Sequence, residues 1–386
     1  MAENLEQLLD YLQTSLLVKP NDAFKRFQLG STYAKLGQPD KAIRELARAA
    51  DLKPEYFDAH YHLGLTFLAT DQEHNALTSL TRAAELRGDH FDCQFALAKL
   101  AMKLGEHAIG ARAYDAVAKL RTEDLSALEH AGSAYLSLER WQEAASCWER
   151  ATKLVPDSAD YFLRWGTSLV GTKAFAPAVR ALRESLRLRG ESTEPRAEIG
   201  RTYQLLGEAY AQQSEHKDAI NAYLQALHFD PRWATGHLAI AAQHELLGQD
   251  DDAVGAYKSA LRFVPDDASA HARLGAPLRR LGRHEEAIDA FARAVSLAPD
   301  NAGYLQALGT AHLRASSFED ARKHLKESAH FDPRSVETLR SLGEACVALG
   351  KSDEAIDAYR AALKLDPGFA EGHVALGRLS VAAGID

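Results

Sequence analysis

The sequence repeats itself every 34 residues, and a chain with that beat stacks repeated units instead of folding around one central core. The doublet Leu29–Gly30 returns as Leu63–Gly64, Leu97–Ala98, Ala131–Gly132 and Trp165–Gly166. After one longer step it resumes at Leu206–Gly207 and continues through Ile240–Ala241, Leu274–Gly275, Leu308–Gly309, Leu342–Gly343 and Leu376–Gly377. Twelve residues beyond each doublet sits another small residue: Ala42, Ala76, Gly110, Ala144, Ala178, Ala219, Ala253, Ala287, Ala321 and Ala355. Many units close on a proline: Pro20, Pro54, Pro156, Pro231, Pro265, Pro299, Pro333 and Pro367. Numbered so that the glycine is position eight, the second small residue is position twenty. Small residues at both places predict two helix backbones in close approach. The proline cannot continue a helix and sets the exit from the second one. The third unit exchanges the two roles, with Ala98 at position eight and Gly110 at position twenty.

The unit from Val336, "VETLRSLGEACVALGKSDEAIDAYRAALKLDPGF", carries Leu339, Leu342 and Gly343 on a first helix and Ala355, Tyr359 and Ala362 on a second. In these features the chain resembles the tetratricopeptide repeat (TPR) family, whose unit is a pair of antiparallel helices. The resemblance spans nearly the whole chain. It implies an all-α fold, a right-handed superhelical α-solenoid of about ten units with a capping helix at each end. The expected partition is a cap over 1–22, units one to five over 23–192, an insertion at 193–199, units six to ten over 200–369, and a final cap over 370–386. Caps are expected because a solenoid exposes apolar surface wherever its stacking stops.

The step from Gly166 to Gly207 is 41 residues, seven beyond the period and close to two helical turns. The excess is placed in "GESTEPRAEIGRTY", where Thr193 would cap a lengthened first helix with Pro195 in its first turn. It reads either as a plain extension or joint, or as an edge contact for a partner. Three closing prolines are replaced, by Gly88, Thr122 and Gly190, all in the first half.

A formal net charge of −9 repels phosphate backbones and argues against a nucleic-acid partner. Cys93, Cys147 and Cys346 have neither disulfide-framework nor zinc spacing and read as reduced thiols. The N-terminus lacks a secretory pattern and no apolar run is long enough for a membrane span, so the expected location is cytoplasmic. Nothing in the sequence sets the oligomeric state.

No catalytic constellation, cofactor motif or metal-ligand spacing stands out, and the chain is expected not to be an enzyme. Sixteen histidines invite a metal or acid–base reading. Yet His60, His237, His271 and His373 share position four, where the resemblance implies a packed aromatic. His244 and His312 share position eleven, again a packing place.

What remains is the concave surface that such arrays build from their first helices, at positions two, five, nine, twelve and thirteen. It typically holds an extended peptide or a partner's helix. In the first units these places carry Phe24, Phe27, Tyr61 and Phe95, with Lys99 and Lys103 nearby. They read as aromatic anchors, or as the tyrosine-like residue common to the family. In the last units the groove turns basic, with Arg273, Arg279, Arg280, Arg314, Arg340 and Arg378. Between Ala268 and His284 there is no acid, so the arginine forks suit an acidic segment. Otherwise they form a solvated face paired with acids such as Glu337 and Glu344. Pro277 interrupts this stretch and predicts a kink that re-aims Arg279 and Arg280.

Two known uses of the family leave no trace. The lysine and asparagine pattern of the chaperone-tail carboxylate clamp matches no triplet of units. The asparagine ladder of the sugar-transferase arrays is replaced at position six by Gln28, His62, Ala96, His130, Arg164, Leu205, Ala239, Arg273, Ala307 and Ser341. The expected function is therefore a protein-interaction scaffold or adaptor with a protein or peptide in its groove. A regulatory or substrate-recruiting subunit of an enzyme is the alternative, and a co-chaperone comes third.

Overall fold

The computed structural model describes residues 2–120, 124–190 and 196–382. Among them are 22 α-helices, α1 (Ala2–Val18) to α22 (Ala370–Ala382), and no strand. The chain is an all-α solenoid in two compact units, Met1–Glu191 and Ser192–Asp386. Within each, helix A and helix B of successive repeats alternate. Helix A is nearly always 13 residues long, as in α2 (Ala23–Lys35), and helix B 14, as in α3 (Pro39–Leu52).

The ends of the helices follow a fixed chemistry. Helix A often starts from a capping side chain: Asp22, His90, Asp124, Ser158, Asp267, Asn301 and Ser335 each accept a hydrogen bond from the backbone amide three residues on. Such a cap contributes about 1 kcal/mol. Helix A ends at position fifteen in the left-handed region, with φ between 54° and 78° in all ten two-helix units. The next amide then bonds back five residues, as from Gln38 to the Tyr33 carbonyl at 2.9 Å and from Lys351 to Cys346 at 2.9 Å. This closure satisfies carbonyls the helix leaves open. Glycine holds the position in five units; Asp71, Glu139, Lys173, Ser214 and Ser316 hold it in the others.

The packing at position eight differs from the simple pairing of two small residues. A methyl group placed on Gly30, Gly64, Gly132, Gly166, Gly207, Gly275, Gly309 or Gly343 would lie 2.5–2.7 Å from the large side chain at position twenty-four of its own unit. Those side chains are Leu46, Leu80, Trp148, Leu182, Tyr223, Phe291, Leu325 and Tyr359. The glycine is thus a notch for one large residue, while the alanine at position twenty is fully buried beside it. In the third unit the pressure comes from elsewhere, since Met102 fills the space over Gly110.

The lengthened helix is α12 (Arg196–Gln212), 17 residues long. The cap expected at Thr193 and the proline at Pro195 lie outside the described residues, as does Thr122. Pro277 lies inside a helix and does not end it. α16 (Ala268–Arg280) runs through it as one helix, with Pro277 buried and its carbonyl accepting from the Leu281 amide at 3.0 Å.

Relieving the left-handed non-glycine turns should stabilise the array. Glu139→Gly and Lys173→Gly should each add about 1 kcal/mol, the left-handed cost less the added chain entropy. Gly166→Val, which drives a branched side chain into Leu182, should lose roughly 1–3 kcal/mol. Thermal unfolding midpoints of the three variants against the parent check both directions.

Candidate functional site

A candidate site lies on the helix-A face of the second compact unit. A cavity of about 450 Å³ opens between α16 and α18 (Ala302–Arg314), with Glu337 of the next helix A at its edge. From α16 come Ser269, Ala272, Arg273, Ala276 and Arg279; from α18 come Gly303, Tyr304, Gln306, Ala307 and Thr310. Ala272 and Gln306 stand at position five, where the first repeats carry Phe27, Tyr61 and Phe95, and Ser269 and Gly303 stand at position two, where the first repeat carries Phe24. Ser269, Ala272, Ala276 and Arg279 follow ordinary helical spacing on one face. Arg279 reaches the site by its register in the helix.

The arginines divide sharply. Arg280 turns away and is bound by two carboxylates, with Nε 2.9 and 3.0 Å from Asp250 and a terminal nitrogen 2.9 Å from Glu245 and 2.7 Å from Asp250. These bonds, those to Asp250 above all, raise its pKa further. Reading Arg280 as a free anion receptor is thus incorrect: its acids lie 30 and 35 residues upstream, one repeat away in space. Glu245 also accepts from the Tyr257 hydroxyl at 2.6 Å, and the Arg273 guanidinium lies 5.3 Å over the Tyr257 ring. Burial, more than the Glu245 bond, pushes the Tyr257 phenol up. Arg340 pairs with Glu344 at 3.8 Å. Arg279, Arg314 and Arg378 are exposed and make no ion pair with any described residue. Of the six arginines singled out in the sequence, the structure brings Arg273 and Arg279 together at the cavity and leaves the rest outside it.

The aromatic residues of the first repeats form a packed chain. Phe27 sits 5.2 Å from Tyr56 and 5.3 Å from His62; Tyr61 lies 5.6 Å from Phe57 and 5.1 Å from His90. Phe95 stacks on Phe91 at 5.8 Å, with the Lys99 ammonium 5.5 Å over its ring. Lys103 is held by Glu73. Phe27 and Tyr61 are partly buried in contacts between repeats, while Phe24 at 58% and Phe95 at 38% exposure remain presented. Sequence reasoning missed the histidines between these rings. His62 and His90 pack among them, and His130 stacks on Tyr114 at 4.7 Å.

Position four has a structural role of a kind the sequence reading missed. The Nε2 of His60, His237, His271 and His373 donates to the carbonyl of the repeat-closing Pro54, Pro231, Pro265 and Pro367, at 3.1, 3.3, 2.9 and 3.1 Å. Arg26 does the same to Pro20 at 2.7 Å, and Gln94 to Gly88 at 3.2 Å where the proline is missing. In these six places the side chain latches the inter-repeat turn onto the following helix. The three thiols are buried, and burial pushes Cys93 and Cys147 up to about 12. No group of three or more potential ligands able to hold a metal ion occurs among the described residues.

The sequence profile of the tetratricopeptide repeat matches residues 95–159, 131–193, 247–302 and 307–370, more than half of the chain. The chain belongs to the tetratricopeptide repeat family. Related TPR profiles match 30–71 and 200–232. The solved C-terminal part of a TPR repeat-containing protein from Cytophaga hutchinsonii is similar with a TM-score of 0.55 at 13% identity, over 64% of this TPR chain and 98% of that one. That likeness concerns the fold. MamA from Desulfovibrio magneticus RS-1 gives 0.42 at 17% identity, over 45% and 97% of the two chains. YrrB, described as a TPR protein with an unusual peptide-binding site, gives 0.45 at 19% identity, over 51% and 98%. No curated protein matches the chain. No helix among the described residues is long and apolar enough to cross a membrane.

Burial lowers the pKa of His60, His62 and His312. A lowered histidine stabilises the folded state fully above the unfolded pKa of about 6.5 and loses that contribution as pH falls toward the folded value. The urea midpoint should therefore drop between about pH 7.5 and about pH 5, and less so in His62→Phe.

Proposed function

We propose that this TPR chain is a non-catalytic, cytoplasmic scaffold that seats a segment of a partner protein along its helix-A face. The cavity between α16 and α18 carries the reading. It combines small apolar walls with hydroxyl and amide groups and with Arg279, a guanidinium that makes no ion pair with any described residue, Glu337 at the cavity edge included. Such a place takes an apolar side chain of the partner, with a neighbouring carboxylate on the Arg279 fork. Arg273 supports it from the same wall, and Phe24 and Phe95 offer further apolar contact in the first repeats. Membership of the TPR family favours protein binding over catalysis.

Reversing one charge tests the acidic preference. Arg279→Glu should weaken capture of the partner from source lysate by on the order of tenfold or more, the value of one charge-assisted hydrogen bond. Arg280→Glu serves as the contrast. It places a third carboxylate against Glu245 and Asp250, so it should lower the thermal midpoint. Full retention of every captured protein by Arg279→Glu would exclude this cavity as the site.

A further inference from the structure

Three charged side chains line the cavity between α16 and α18: Arg273, Arg279 and Glu337. The Arg273 guanidinium is taken up over the Tyr257 ring. Arg279 makes no ion pair with any described residue, and neither does Glu337 on α20 (Val336–Ala348). These two free charges have opposite sign and stand at opposite ends of their helices. Arg279 falls at position twelve, in the last turn of α16, and Glu337 at position two, in the first turn of α20. Arg314, exposed and equally unpaired, continues the positive edge in the last turn of α18. Each charge sits at the helix end whose dipole it complements, so the fold holds them apart at no cost. The remaining lining is uncharged, with Ala272, Ala276, Ala307 and the Phe291 ring as its apolar part.

We propose that the segment seated here is dipolar: a carboxylate on the Arg279 edge, a base against Glu337, and an apolar side chain in the cavity. The inference rests on the cavity being the partner site and adds the second charge. Complementarity carries it. A segment acidic throughout brings a carboxylate onto Glu337, and one basic throughout brings a cation onto Arg279. Covering either charge without its opposite leaves it desolvated and unpaired, which disfavours both kinds of segment. Positions two and twelve lie about 15 Å apart along the helix axes. An extended chain advances about 3.3 Å per residue, so acid and base stand about five residues apart or more.

Selection from a random twelve-residue peptide library displayed on phage, with the 386-residue chain as bait, reads this preference directly. Enriched peptides should carry an acid and a base on opposite sides of an apolar residue. Arg279→Glu should replace the acid by a second base, and Glu337→Lys should replace the base by a second acid. By fluorescence anisotropy, a synthetic peptide of the parent's motif should bind either reversal on the order of tenfold more weakly than the parent. Ala272→Phe puts at position five the ring that Phe27 and Phe95 already place there. It should fill the cavity and abolish enrichment with helical circular dichroism unchanged. Peptides acidic at both ends, peptides sharing only an apolar residue, or one motif selected alike by the parent and both reversals would overturn the dipolar preference and leave the cavity as the partner site. No enrichment on the parent, or enrichment that survives Ala272→Phe, would overturn both.

Discussion

The packing of this fold depends most on one contact, a small residue at position eight of helix A held beside helix B, which in eight of the ten two-helix units is a glycine against the large side chain at position twenty-four. In those eight units a Cβ would collide with that side chain; Ala98 and Ala241, fully buried, hold the place in the other two. Close packing inside each pair makes the array a regular ladder, because a solenoid's stability is a sum over neighbours and an error in one rung is passed to the next. The turn at position fifteen fixes how the chain passes between the helices of each pair, and in about half of the repeats the latch at position four fixes how it enters. They satisfy backbone groups that would otherwise be left at the ends of short helices.

With the frame fixed, the side chains on helix A can vary freely, and that variation makes the surface chemistry. Where position five carries Phe27 and Tyr61, rings fill the space and bind the repeats to one another, while Phe24 and Phe95 stay presented. Where positions two, five and nine carry Ser269, Ala272 and Ala276, a cavity opens. The charge of that cavity is set by a second rule of the ladder: position thirteen meets position seventeen of the preceding unit. Arg280 meets Asp250 this way, and Lys103 meets Glu73. Arg279, one residue earlier, falls outside that rule and keeps its charge for something else.

The periodic part of this architecture was legible in the sequence, from the doublets, the small residue at position twenty and the closing prolines. What was missed lies between repeats. Acids were sought near Arg280 along the chain, when its neighbours in space come from about one period upstream; a search at that offset would have found Asp250. The position-four histidines were assigned to packing because their acceptor is a backbone carbonyl, which no side-chain pattern displays. Gln94 was the available clue, since it sits at the same place opposite Gly88 and can only be there for its hydrogen bond.

The left-handed turns have a further consequence. Five of the ten are occupied by side chains that pay to be there, and three of those five, Glu139, Lys173 and Ser214, fall in consecutive repeats. In a structure whose rungs lean only on their neighbours, local opening begins where the rungs are weakest. The free energy of opening is thus uneven along the chain, lowest in its middle third. Amide protons there should exchange sooner than those of the repeats closed by Gly248 and Gly282.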